Sequence, residues 1–179
     1  MSCRHSPNFK KRLITAAVIM VFITAAAFVL SMLSDDYLVM YDSDTGVTYI
    51  TQKAEEGLTF SVEFIHSVNQ TPVKDTYIIE NGKIRAYSTT YRSFGAGVQT
   101  ALEGDQKMTY DDNGNMVITG FDITYDPLRY IVGTVSDHIL TLNGEEISLR
   151  NMCGRNARVV FEICSGYKAA KKILTKGSI

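Results

Sequence analysis

The stretch VKDTYIIENGKIRAYSTTY, Val73–Tyr91, decides the fold class. Val73, Asp75, Tyr77 and Ile79 alternate with Lys74, Thr76 and Ile78, the period-two pattern of a half-buried strand. Asn81-Gly82 then supplies two residues that tolerate positive φ, as the type I′ turn of a tight hairpin requires. Just upstream, Leu58, Phe60, Val62 and Phe64 alternate in the same way with Thr59, Ser61 and Glu63. Two further Asn-Gly pairs, Asn113-Gly114 and Asn143-Gly144, separate segments able to pair: Met108–Asp111 with Met116–Phe121, and His138–Leu142 with Ile147–Arg150. Tyr37–Tyr41 and Val47–Gln52 predict the first strands and Arg158–Cys164 the last. The expectation is an all-β domain of about eight to ten short strands, a small antiparallel β-sandwich or barrel preceded by one N-terminal transmembrane helix. Tyr167–Lys176 reads either as one short terminal helix or as a frayed end.

Ahead of the strands, Leu13 to Leu33 is a run of 21 residues without a charge. As a helix it is about 31 Å long, the thickness of a hydrocarbon core. Its polar members, Thr15, Thr24 and Ser31, can bond back to helix carbonyls, so the segment suits a lipid bilayer. Arg4, Lys10, Lys11 and Arg12 precede it and Asp35-Asp36 follow, a polarity that keeps residues 1–12 in the cytoplasm and delivers residues 36–179 outside. Residues 13–33 then form a single-pass signal anchor in a lipid bilayer, unless a peptidase cuts near Ala25-Ala26-Ala27; both routes export the domain. The formal net charge of −1 hides this segregation, because 14 basic groups face 19 acidic ones beyond the N-terminal cluster, a balance of −5. Nucleic acid is thereby excluded as a partner, since phosphate neutralisation needs a concentrated basic face.

Candidate functional residues gather in two patches. His66 falls at the inner end of strand Leu58–Phe64, where it replaces a core residue and needs a polar partner. Asp75 is placed to orient its imidazole, and Ser67 or Ser93 to exchange a proton with it. These residues make either a polar network that holds a loop against the sheet or a general-base or metal site, a hydrolase being the remotest version. In the second patch Gly95 and Gly97 let backbone N–H groups converge on an anion, and Arg92 and Ser93 add side-chain donors suited to a carboxylate or phosphate. The bland reading is a tight bend, and a lone G-x-G without a third glycine is no dinucleotide motif. Asp111–Asn115 has the oxygen ligands of a calcium loop, but Met116 stands where that loop needs glycine, so turn chemistry explains it better. His138, on an alternating strand, reads as exposed or at an edge. Cys153 and Cys164, ten residues apart, either close a disulfide between neighbouring strands or remain two buried thiols. No recognised reaction signature is present, so the expectation is a protein that is not an enzyme and carries no cofactor and no metal.

Phe64-Ile65-His66-Ser67-Val68, followed by Pro72-Val73 and Asp75 and then by Ser93-Phe94-Gly95-Ala96-Gly97, resembles the signature of the bacterial family called domain of unknown function 1850, over about residues 57–150. Members of that family are typically encoded beside the fused membrane permease and the substrate-binding receptor of TAXI-type TRAP transporters, which take up small organic anions. The resemblance implies an accessory protein whose partner is such a permease or its receptor, with binding of a small carboxylate by the domain itself as the alternative. It brings no catalytic residue; His66, Ser67, Pro72, Gly95 and Gly97 fall on its motif, and the C-terminal stretch with Cys153 and Cys164 lies outside it. The charge asymmetry makes one direct forecast: a reporter enzyme active only outside the cytoplasm, fused after Ile179, is active, while a reporter active only in the cytosol is silent at the same position.

Overall fold

A computed structural model describes residues 7–68, 70–92 and 101–174. It divides into two compact units between Asp35 and Asp36. The first contains helix α1 (Pro7–Ser34), in which Lys11–Ser31, with a mean hydropathy of 2.7, is long and apolar enough to cross a membrane. Thr15 and Thr24 donate their hydroxyls to the carbonyls of Lys11 and Val21, which removes two polar groups from the helix surface.

The second unit is mostly β. Its strands, in chain order, are β1 (Asp36–Asp42), β2 (Thr48–Lys53), β3 (Thr59–Ile65), β4 (Pro72–Glu80), β5 (Lys83–Tyr91), β6 (Lys107–Tyr110) and β7 (Met116–Thr119). They continue with β8 (Thr124–Tyr125), β9 (Leu128–Ile131), β10 (His138–Leu142), β11 (Glu145–Ser148) and β12 (Arg158–Ser165). Among the described residues this makes twelve, more than the sequence suggests, because β8 and β9 are too short for an alternation to show. All pairings are antiparallel, in a four-stranded sheet of order β2-β1-β12-β9 and an eight-stranded sheet of order β11-β10-β3-β4-β5-β7-β6 with β8 on β5.

The hairpin β4–β5 turns at Asn81 and Gly82, and β10–β11 at Asn143 and Gly144, both pairs at positive φ as a type I′ turn demands. The β6–β7 turn differs: only Gly114 has positive φ, and Asp111 Oδ1 instead accepts from the amides of Asn113 and Asn115. Strand β11 ends at Ser148 rather than continuing to Arg150, because Ser148 caps helix α2 (Leu149–Cys153) by accepting from the amide of Asn151. The terminal segment is a helix, α3 (Gly166–Leu174), and the residues of the expected helix beyond 174 lie outside the described residues.

One core lies between the sheets. Leu38 and Met40 of β1 and Val159 and Phe161 of β12 meet Phe60 and Val62 of β3, Tyr77 and Ile79 of β4 and Leu140 of β10. Phe60 joins the layers, its ring 5.3 Å from that of Phe161 and 5.2 Å from that of Tyr77. The run Leu38-Val39-Met40 is apolar throughout because β1 is covered on both faces; Val39 and Cys164 pack outward beneath Ala169 of α3. Glu162 anchors that helix, accepting from Lys172 Nζ at 2.7 Å and from Tyr41 Oη at 3.1 Å.

The cysteines belong to different clusters. Cys153 touches the inter-sheet core while Cys164 belongs to the outer cluster, so both are free thiols and the disulfide is not formed. Burial pushes the Cys153 thiol up to about 11 and raises that of Cys164 as well, which keeps both protonated at neutral pH. Truncating the inter-sheet wedge, Phe60→Ala, is expected to lower the unfolding free energy by about 3–5 kcal/mol, read from chemical denaturation of the full chain in mild detergent.

Candidate functional site

Two groups of polar residues sit where the topology concentrates them. The first is at one end of the large sheet, where β3 finishes, β4 begins and β5 finishes: Ile65 pairs with Pro72, and Val73 with Tyr91. His66 lies just beyond the strand, not in the core as its spacing suggests. The tight connection Ser67–Thr71 turns the chain away, His66 N donating to Thr71 O and Gln70 N to His66 O. Its Nδ1 accepts from the amide of Val68 at 3.4 Å, and the Ser67 carbonyl accepts from Gln70 Nε2. Ser67 is exposed, as is Arg92, one residue past β5. Ser93, Gly95 and Gly97 lie outside the described residues.

A second loop joins this end. Residues 132–137 lead into β10, and Ser136 Oγ donates to the carbonyl of Ile65 at 3.1 Å. The loop is held from beneath. Arg150 Nη2 donates to Gly133 O, while Asp137 accepts from the amides of His138 and Arg150 and from Ser148 Oγ. Burial pushes the Asp137 carboxyl up, but these donors and the Arg150 charge outweigh it and leave it below the usual range. Gly133 is tied to His138, donating its N–H to Nδ1 at 3.1 Å; a Cβ there would meet the carbonyl of Ser136 and lie 3.3 Å from the imidazole. Val135, within this loop, is 92% exposed; Ile65, whose carbonyl receives Ser136, and Val68 are also exposed.

His138 is therefore a buried residue of an inner strand, not the exposed or edge histidine its pattern suggests. Its ring stacks on Phe64 at 5.0 Å and meets the edge of Tyr130 at 6.0 Å. Burial lowers its pKa, Asp137 opposes the shift and Arg150 adds to it, so the ring is neutral with its proton on Nε2.

The second group is inside. Asp75 does not orient His66: its Oδ1 accepts from Thr89 Oγ1 at 2.9 Å, and its Oδ2 from Tyr130 Oη at 3.3 Å across the inter-sheet space. Tyr77 Oη in turn lies 2.5 Å from Tyr130 Oη, giving a relay from Tyr77 through Tyr130 to the carboxylate. Among the described residues no Lys, Arg or His forms an ion pair with Asp75. Burial raises its pKa, and the two hydroxyl donors only partly oppose that. Burial also raises Tyr77, Tyr125 and Tyr130, each reinforced by the neighbouring Asp75 charge.

Backbone irregularities open this group to a cavity. The β4–β5 register shifts between Thr76 and Tyr77, so that Thr76 faces Ser88, Tyr77 faces Ala86 and Tyr87 is left over. At the same place the partner of β5 changes from β7 to β8. The resulting cavity of about 90 Å³ is lined by Asp75, Tyr77, Ala86, Ser88, Thr89, Phe121 and Tyr125. Larger clefts, about 640 Å³ beside Arg85 and Gly120 and about 500 Å³ beside Leu58 and Lys74, do not reach His66 or Asp75. Sequence spacing placed Asp75 on the inner face but missed Tyr130, Thr89 and the His138–Asp137–Arg150 clasp, whose members lie far apart along the chain.

The family model described as domain of unknown function (DUF1850) matches residues 60–149, half of the chain. No curated protein matches, and no solved structure matches. The matched segment contains the loop at His66, the relay at Asp75 and the 132–137 loop.

The raised Asp75 pKa has a defined sign. The folded state holds that proton more tightly than the unfolded state, so the contribution is greatest below the ordinary aspartate value and is lost as pH rises through the folded value. Relative to the parent, Asp75→Asn should therefore gain stability as pH rises above the ordinary aspartate value of about 4, read as a melting-temperature difference that grows with pH.

Proposed function

The chain belongs to the DUF1850 family, and on that premise we propose that its β-domain is a membrane-anchored extracytoplasmic accessory subunit of a TAXI-type TRAP organic-anion transporter, which docks on the permease through the sheet end carrying His66. One observation carries the docking face: Val135 is 92% exposed on a loop fixed by Arg150, Asp137 and His138. A valine held in water by part-buried polar contacts gains nothing for the isolated domain, whereas a preordered apolar tip lowers the entropy cost of association. Ile65 and Val68 extend the apolar area, and His66, Ser67 and Arg92 give it a polar rim. The apolar helix ahead of the domain supports attachment to the membrane in which a permease resides.

A hydrolase would need an orienting group for His66 other than Asp75, which bonds Thr89 and Tyr130. Co-purification tests the proposal. The tagged full chain, co-expressed with the neighbouring permease and extracted in mild detergent, should bring the permease with it. Val135→Asp and Val68→Asp should each cut that recovery by at least about tenfold without changing the amount of folded chain. Recovery of this chain alone from the parent strain overturns the proposal.

A further inference from the structure

We propose that the Asp75 cavity is a binding site for a small ammonium-type cation, either ammonium itself or the head of a short primary amine. A carboxylate offers about four lone-pair positions, and Thr89 and Tyr130 occupy two of them. No cation among the described residues takes the rest, and water compensates a carboxylate this half-buried only in part. The cavity beside it is lined by the rings of Tyr77, Tyr125 and Phe121 and by the hydroxyl residues Ser88 and Thr89.

Each wall suits one kind of ligand. The carboxylate repels anions and attracts a cation. Aromatic rings favour a cation that is soft and weakly hydrated, whereas a hard divalent ion seeks six or more oxygens and finds few here. Thr89 gives its proton to Asp75 and keeps its lone pairs, so it can accept an N–H, as can Ser88. The pocket is small: about 90 Å³, against the roughly 150 Å³ of a cavity that takes benzene, suits an ammonium head with a short stem. The site is separate from the docking face at His66, and neither proposal depends on the other.

The full chain in mild detergent is titrated with methylammonium chloride and, at matched ionic strength, with potassium chloride and tetramethylammonium chloride, following tyrosine ring resonances by NMR. Methylammonium is expected to shift the Tyr77, Tyr125 and Tyr130 signals saturably. Potassium, which lacks N–H donors, and tetramethylammonium, which lacks them and is bulkier, should bind at least about tenfold more weakly. Asp75→Asn should weaken methylammonium by a similar factor, and so should Ala86→Leu, which fills the cavity while leaving the carboxylate in place. Both variants are checked for parental circular dichroism, and if Asp75→Asn does not fold, Ala86→Leu and the cation series decide. No saturable shift, equal affinity in a folded variant, or potassium binding as tightly as methylammonium overturns the assignment.

Discussion

The pairing of β3 between β4 and β10 decides what lies inside this domain. It creates three successive rungs: Tyr77, Phe60 and Leu142; Asp75, Val62 and Leu140; Val73, Phe64 and His138. A strand has a period of two, so these residues share one face whatever their chemistry. The outer rungs bring rings to the second sheet, and the middle one brings a carboxylate. Sliding β4 by one residue would return Asp75 to water, but it would also expose Val73, Tyr77 and Ile79, each worth about 1.5–3 kcal/mol when buried. The apolar majority sets the register and the carboxylate follows. Tyr130, on the opposite sheet, and Thr89, on the adjoining strand, are the groups that make its position tolerable.

Two ionisable groups of these rungs, Asp75 and His138, resolve the same difficulty in opposite ways. Burial pushes each toward its neutral form, which raises the pKa of the acid Asp75 and lowers that of the base His138. Acidification thus relieves Asp75 but makes His138 harder to keep uncharged. It also removes the contributions of Asp137 and Glu162, whose carboxyls are held low by the donors around them. With terms of both signs on neighbouring rungs, no single group sets the acid response of the fold.

Much of the architecture was legible in the sequence because it rests on local chemistry. Asn81-Gly82 and Asn143-Gly144 each fix a turn with two backbones at positive φ, and alternation from Leu58 to Phe64 states which face is inward. Legibility failed where the decisive partner was distant. His66 has the position of a core residue by counting, yet β3 stops at Ile65 because the next residues close a tight turn. His138 has an outward-looking pattern, yet it is buried because Phe64, Tyr130 and Gly133 converge on it from three separate segments. Asp75 was recognised as functional in type, but its companions are Tyr130, 55 residues on, and Thr89, and no spacing rule links them. Cys153 and Cys164 are close enough along the chain to pair, but the sheet itself stands between them.

The clasp under residues 132–137 bears most directly on how such a domain meets another surface. Holding the loop consumes Asp137, the main-chain N–H of Gly133 and the guanidinium of Arg150, whose buried Nε has no acceptor among the described residues. An unmet buried donor costs about 1–3 kcal/mol, a poor trade for a loop whose tip touches only water. Replacing Arg150 and Asp137 by apolar residues would spare that desolvation, yet the loop would then sample many conformations. Association would have to freeze them, at about 0.5–1.5 kcal/mol for each immobilised side chain. The arrangement sacrifices some stability in the free domain to hold the loop of Val135 in one place, tied to the end of β3 through the Ser136–Ile65 hydrogen bond. The unmet Arg150 donor and the exposed tip are thus two sides of one arrangement, in which order in the loop is kept at the expense of the stability of the free domain.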